Sequence, residues 1–140
     1  MHIFEKHNQE AQLWIDEMMA ELGTDDPYRA LHALRAGLQA LRDRMTLAEA
    51  AQMAAELPLL IRGLFFDGWL PGAEPRPIEK RSEFLALVRE KYAPRSDTPT
   101  DQVARATLAV LDHRLTGRPT LQTILVPTQQ IVTVSEVRAA

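Results

Sequence analysis

Residues 27–45, PYRALHALRAGLQALRDRM, constrain the fold of this chain more than any other stretch. Apolar residues recur there every three or four positions, so in a helix they cover most of the circumference and leave a narrow polar strip. One side carries the large residues Leu31, Leu34, Leu38, Leu41 and Met45, and the adjoining side carries Ala30, Ala33, Gly37 and Ala40. Several helices must cover such a helix, and its small residues allow one of them to approach closely. The pattern predicts an all-α, compact helical bundle with this helix at its centre.

Spacing and helix-boundary residues predict further helices along the chain. Gly23 suits the end of the first helix, and Thr46 and Glu49 form a capping box before the third. Thr98 is the expected N-cap of the sixth helix. The fourth helix is apolar nearly all round, so we expect it to be buried. A chain of 140 residues fits one domain, of six to eight helices in all. The predicted helices cover about residues 5–22, 27–45, 46–56, 58–67, 78–92 and 98–115.

The segment GLFFDGW, residues 63–69, places three of the eight aromatic residues between two glycines. We expect Gly68 to be the left-handed residue after the fourth helix, with Trp69 packed against Leu64. Gly63 is expected to allow a close helix crossing. The alternative is an exposed aromatic platform for a ligand. The structural interpretation is preferred because large aromatic side chains usually belong to the core.

Two segments of the chain are similar to each other. Residues 34–46, LRAGLQALRDRMT, and 104–116, ARATLAVLDHRLT, are identical at six of thirteen positions. This pattern predicts two related helical halves, about 27–68 and 98–135, although a shared Leu/Ala/Arg-rich composition would also explain it. The similarity fades after Gly117, where TLQTILVPTQQIVTV reads as two strands by propensity and as two short helices by repeat. We expect a helix over 119–126 and leave 128–140 open.

Several segments resemble a known family of small bacterial proteins. They are ELGTDDPYRALHALRAGLQALRDRMTLAEAAQMAAELPLLIRGLFFDGW and the later FLALVREKY, and LPLLIRGLFFDGW is the most specific part. The family is domain of unknown function 2267, and the resemblance covers about residues 10–115. It implies a helical fold with two related halves and brings no catalytic residues. The chain after Gly117 departs from the polar helix expected for the family.

The sequence excludes several classes of active site. With no cysteine, disulfides, thiolate catalysis and cysteine–zinc sites are ruled out. The serines have no nucleophile-elbow setting, the histidines lack metal-ligand spacing, and GxxxxGW at 63–69 is not a phosphate-binding loop. The start, MHIFEKHNQE, lacks a secretory leader, and no apolar run approaches about 18 residues. We therefore expect a cytoplasmic protein that is not an enzyme and has no catalytic residues, metal site or cofactor.

Polar side chains on the second predicted helix are the first candidates for recognition. Arg35 and Arg42 are seven residues apart, share a face, and could bind a phosphate or an acidic surface. In the alternative interpretation this strip pairs with acidic residues of the first helix, such as Glu17 or Glu21, or lies in water. The strip consists of Tyr28, His32, Arg35, Gln39 and Arg42. Residues 76–95 also carry six basic groups against three glutamates, which is typical of a solvated helix surface.

Arg62 is the other unusual residue, because it lies in an otherwise apolar helix. A buried guanidinium needs acceptors, and Asp67, Asp43 or the carbonyls at a helix C-terminus are plausible ones. A binding role would place Arg62 beside Phe66 and Trp69 in a pocket between helices.

These observations lead to one leading function and two alternatives. We expect a protein-interaction or scaffold module with a protein partner or self-association, which would show an exposed apolar patch. The first alternative is a small-ligand-binding protein with a pocket near Arg62, Phe66 and Trp69. The weaker alternative is a nucleic-acid binder using Arg35 and Arg42, which the net charge of −3 disfavours. No membrane partner is expected.

Overall fold

The computed structural model describes residues 2–72, 74–76, 80–93, 95 and 97–139, and of residues 120 and 132–139 only the backbone. These residues form seven α-helices and no β-strand, which confirms the predicted all-α bundle. None of the described helices is long and apolar enough to cross a membrane. The helices are α1 (Glu5–Leu22), α2 (Pro27–Arg44), α3 (Leu47–Ala55), α4 (Leu59–Phe66), α5 (Arg81–Tyr92), α6 (Thr100–Arg114) and α7 (Pro119–Ala139).

Helix α2 lies at the centre of the bundle, as its sequence predicts. It packs against α1, α4, α5 and α6, and its alanines and three of its four leucines are buried, while Leu31 is partly buried. Gly37 faces α6, where an added Cβ would lie only 2.0 Å from Oγ1 of Thr107. Such a distance leaves no room for any side chain at position 37. The glycine therefore sets how closely α2 and α6 cross.

Side chains at the helix starts explain two of the boundaries. Asp26 accepts a hydrogen bond from the backbone N–H of Tyr28 at 2.9 Å, just before Pro27 opens α2. Before α3, the hydroxyl of Thr46 accepts from the N–H of Glu49, whose carboxylate accepts in return from the N–H of Thr46. This is the predicted capping box.

The expected N-cap of α6 is wrong. The helix begins at Thr100 after Pro99, and no side chain among the described residues caps it. Thr98 is buried instead, and its hydroxyl accepts a hydrogen bond from Nε of Arg29 at 2.6 Å. The Thr98 hydroxyl bonds to Arg29 of α2 and therefore does not cap α6, although the local sequence favours capping.

Helix α4 is also less buried than its composition suggests. Leu59 and Leu60 are 45% and 43% exposed, and only Ile61 and Phe65 are buried. A Cβ added to Gly63 would meet nothing within 4 Å, so the expected close helix crossing there is wrong. The helix lies at the edge of the bundle, where α1, α2 and α3 pack against it and leave one face open. Composition cannot distinguish such an edge helix from a central one.

The segment after Gly117 is helical. α7 runs through Pro127 as one helix, so the expected helix over 119–126 is confirmed and the strand interpretation is wrong. Leu121, Ile124 and Leu125 are buried, and α7 contacts α3, α5 and α6. Packing of these side chains outweighs the β-propensity of the segment.

Candidate functional site

The polar strip of α2 lies against the C-terminal end of α4. Nε2 of Gln39 donates to the carbonyls of Leu64 at 3.0 Å and Asp67 at 3.1 Å. One terminal nitrogen of Arg42 donates to the carbonyls of Phe65 and Asp67, both at 3.0 Å. The last carbonyls of a helix have no partner within the helix, so these two side chains supply the donors that α4 lacks.

The guanidinium of Arg42 is fully engaged inside the protein. Its Nε and second terminal nitrogen approach Oδ1 of Asp43 at 2.9 and 2.8 Å, and Nζ of Lys91 approaches the other oxygen at 2.8 Å. Arg42 is only 2% exposed. A buried cation is stable when it is paired and hydrogen-bonded in this way. This geometry favours a structural role for Arg42, and joint binding of a phosphate by Arg35 and Arg42 stays an untested prediction.

The rest of the strip faces solvent. Arg35 pairs with Asp67 at 2.8 Å, while Tyr28 and His32 are exposed. The expected pairing with Glu17 is wrong, because Glu17 lies 2.9 Å from Nδ1 of His113 and 2.8 Å from Nε of Arg114. The acidic residue therefore joins α1 to α6, and the strip finds its partner at the end of α4.

The GLFFDGW segment ends α4 in a tight turn. Gly68 has a φ of +71°, and the N–H of Trp69 donates to the carbonyl of Phe66 at 3.0 Å. The Trp69 ring stacks on the Phe66 ring with centroids 5.2 Å apart and an interplanar angle of 19°. The expected left-handed glycine is confirmed. The helix stops at residue 66, so the turn brings Phe66 and Trp69 together, and the expected contact of Trp69 with Leu64 stays a prediction.

Arg62 holds the end of α3. Its Nε donates to the carbonyl of Ala54 at 2.8 Å, and a terminal nitrogen donates to the carbonyl of Leu57 at 3.0 Å. Carbonyls at a helix C-terminus were one of the acceptor sets expected from the sequence. The guanidinium thus fixes the corner between α3 and α4, away from the aromatic pair.

A cleft of about 440 Å³ opens beside Trp69, and we call it the Trp69 cleft. Its apolar wall is formed by Met45, Leu47, Trp69, Leu70 and Pro75, and its charged wall by Arg42, Asp43, Glu74, Arg76 and Lys91. Of the seven residues predicted to bind, Arg42 and Trp69 line the cleft. Phe66 touches it only through its stack on Trp69, and the other four lie outside it. Sequence reasoning missed Leu70, although a leucine in a proline- and glycine-rich loop is a usable signal.

A second cleft, of about 490 Å³, lies between α5 and the start of α6. We call it the arginine cleft, because Arg81, Arg89 and Arg95 line it. Beside it, the Tyr92 hydroxyl donates to Asp97 at 2.6 Å and Arg95 donates to the other oxygen at 2.9 Å. The Tyr92 hydrogen bond and then the Arg95 guanidinium lower the pKa of Asp97 below its usual range.

The described part of the chain contains no group of three histidine, aspartate or glutamate side chains placed to hold a metal ion.

Comparison with known proteins places the chain in a family. A search of curated proteins finds no match. The family described as "Uncharacterized conserved protein (DUF2267)" matches residues 11–123, which include α2, α4 with its capped end, and both clefts. Because the match covers most of the chain, the protein belongs to the DUF2267 family.

Proposed function

We propose that this protein is a non-enzymatic interaction module that holds an apolar side chain of a partner protein in the Trp69 cleft. The observation that carries the proposal is the mouth of the cleft, where Leu70 and Leu47 are 76% and 62% exposed. Exposed leucines around a concave, aromatic-walled surface are typical of recognition sites rather than of ordinary surface.

The basic groups of the cleft are paired within the chain. Arg42 and Lys91 pair with Asp43, and Arg76 pairs with Glu90 at 2.9 Å. Because these charges are already balanced, the exposed leucines carry the proposed contact, and the partner segment needs no acidic residue beside its apolar side chain.

Rigidity supports the same proposal. The loop that carries Trp69 and Leu70 follows a helix end held by Gln39 and Arg42, and the Trp69 ring is stacked on Phe66. Side chains fixed before binding lose less conformational entropy when a partner arrives. The polar strip of α2 therefore serves the cleft indirectly, by fixing the segment that forms its wall.

Substitutions at the mouth of the cleft test the proposal. We expect a protein captured by the wild-type chain to be lost with Leu70→Asp and retained with Leu59→Asp. Leu59 is a matched control, because it is also an exposed leucine but lies on α4 outside the cleft. Equal capture by both variants would rule out the cleft as the interaction site.

A small ligand in the same cleft is the second candidate. The volume of about 440 Å³ lies within the range of small-molecule sites, and Trp69 offers a flat apolar wall. Native mass spectrometry of the gently purified protein separates the two candidates. Added mass of small-molecule size supports a ligand, whereas integer multiples of the chain mass support self-association. A bare monomer leaves the partner protein as the occupant.

We also propose that the protein is located in the cytoplasm, as the sequence analysis leads us to expect. Fractionation of cells that express the protein checks this, with recovery outside the cytoplasmic fraction as the contrary result.

A further inference from the structure

The arginine cleft has the shape and charge of an anion site. On α5, Arg81, Leu85 and Arg89 recur every four residues and so share one face. Arg81 and Arg89 are about 12 Å apart along the helix at 1.5 Å per residue. Arg95 follows on the segment that leads to α6. The lining therefore holds three guanidinium groups and the carboxylate of Asp101, and Asp97 beside the cleft pairs with Arg95 at 2.9 Å.

The start of α6 faces the same cleft. Thr100 and Asp101 line it, and no described side chain caps this end of a helix of 15 residues. The first N–H groups of a helix are unpaired donors, and the helix dipole places partial positive charge there. The face of α5 that carries the arginines and the positive N-terminal end of α6 thus meet at one concave surface.

Arg89 is the arginine of this cleft that is open to a ligand. It is exposed, and no acidic side chain among the described residues pairs with it. Arg95 pairs with Asp97 through a terminal nitrogen and its Nε is closed off from solvent, so Arg95 contributes charge to the cleft rather than an open donor. Planar guanidinium groups bind phosphate oxygens two at a time, which suits an incoming anion.

We propose that the arginine cleft binds a small molecule that carries at least two phosphate groups. Its volume of about 490 Å³ fits a small molecule, and the spread of the arginines along α5 fits more than one anionic group. A long nucleic acid is disfavoured because the chain as a whole is acidic, with a net charge of −3. This site is separate from the Trp69 cleft and does not depend on the proposed interaction there.

Calorimetric titration of the full chain with inorganic triphosphate tests the proposal. We expect binding to the wild type, and at least about tenfold weaker binding to Arg89→Gln, because a charge-assisted hydrogen bond is lost. The affinity of Arg89→Lys should be intermediate, since lysine keeps the positive charge but loses the paired N–H donors of the guanidinium. Arg105→Gln is the matched control: it removes one exposed charge from α6 outside both clefts and should bind within about twofold of wild type.

Three results would overturn the proposal. The first is no binding up to about 1 mM triphosphate, the weak end of specific binding. The second is equal weakening by Arg89→Gln and Arg105→Gln, which would indicate general charge attraction. The third is a tricarboxylate or a short oligonucleotide that binds more tightly than triphosphate and with the same dependence on Arg89. Circular dichroism of each variant confirms that the exposed substitutions leave the fold intact.

Discussion

At the scale of single residues, buried polar groups account for much of how this protein is held together. Arg42 is surrounded by the carbonyls of Phe65 and Asp67 and by the carboxylate of Asp43. If the guanidinium were removed, the carbonyl of Phe65 would lose its side-chain donor, whereas the carbonyl of Asp67 would keep Gln39 and Asp43 would keep Lys91. Gln39 donates in the same way to the carbonyl of Leu64, so two side chains of α2 take the place of a local C-cap for α4.

Replacement of Arg42 tests this role. We expect Arg42→Met to lower the free energy of unfolding by about 2–4 kcal/mol, because the buried carbonyl of Phe65 loses its donor and Asp43 loses one of its two cationic partners. Arg35→Met is the control and should cost less than about 1 kcal/mol, because the Arg35–Asp67 pair is solvent-exposed. Urea unfolding of both variants measures the difference. Similar losses would show that Arg42 acts only as a surface charge.

The two glycines at the end of α4 should respond in opposite directions to alanine. Gly68→Ala should cost at least about 1 kcal/mol, because residue 68 has a φ of +71°. Gly63→Ala should be neutral or stabilising by up to about 1 kcal/mol, because it lies inside the helix and its new Cβ would meet nothing. Thermal unfolding distinguishes them, and a neutral Gly68→Ala would refute the turn geometry.

Whether the sequence predicts a contact between two residues depends on how close those residues lie in the chain. Gly68 and the Thr46–Glu49 box follow from a few neighbouring residues, and the sequence predicts them. For Arg62 the sequence left three sets of acceptors open, and the carbonyls at a helix C-terminus are the correct set. The Arg35–Asp67 pair and the burial of Thr98 join residues far apart in the chain. No periodicity indicates such partners, so the sequence suggested Glu17 for the strip and a capping role for Thr98.

At the scale of helices, the link between α5 and α6 is fixed by a small polar network. The Tyr92 hydroxyl bonds to Asp97 and lies 3.3 Å from the hydroxyl of Thr98, which in turn accepts from Arg29 of α2. The network ties the end of α5 and the start of α6 to the central helix. It therefore positions the two walls of the arginine cleft.

The lowered pKa of Asp97 gives this network a pH signature. A folded-state pKa below the unfolded value of about 3.9 stabilises the protein above that pH, and the stabilisation is lost as pH falls through the folded value. Tyr92→Phe removes the largest cause of the shift. We expect it to cost about 1 kcal/mol at neutral pH, with the difference from wild type shrinking below about pH 4. Urea unfolding between pH 2 and 7 measures this, and a constant difference would contradict it.

Sequence periodicity predicted where the helices lie better than how deeply they are buried. The bounds of α1 and α2 match because their apolar residues recur regularly and end at Gly23 and beside Met45. The exposure of Leu59 and Leu60 could not be predicted, because it depends on α4 packing at an edge of the bundle. The clefts could not be predicted either, since each joins segments from different parts of the chain.

At the scale of the whole molecule, the close crossing of α2 and α6 organises the bundle. Gly37 meets Thr107 there, and the two occupy the same position in the similar segments 34–46 and 104–116. A twofold relation between halves would bring equivalent residues together in this way. The relation of the halves 27–68 and 98–135 nevertheless stays a prediction.

Exchanging the two crossing residues tests that prediction. Gly37→Ala alone should cost at least about 2 kcal/mol, because its Cβ would overlap Thr107. If the helices are related by a twofold axis, the double variant Gly37→Thr with Thr107→Gly moves the same side chain to the opposite helix. We expect the double variant to be more stable than Gly37→Ala. A double variant that is less stable than Gly37→Ala would argue against the symmetry.

The crossing also has a consequence for synthesis. About sixty residues separate the end of α2 from Thr107, so the ribosome needs roughly 3–12 s to make the partner that covers Gly37. During that interval the alanine and leucine sides of α2 lack their α6 contact. Chaperones bind apolar segments of this kind, and a pause in translation before residue 107 would lengthen their exposure. The helix at the centre of the bundle is thus made before three of the four helices that pack against it.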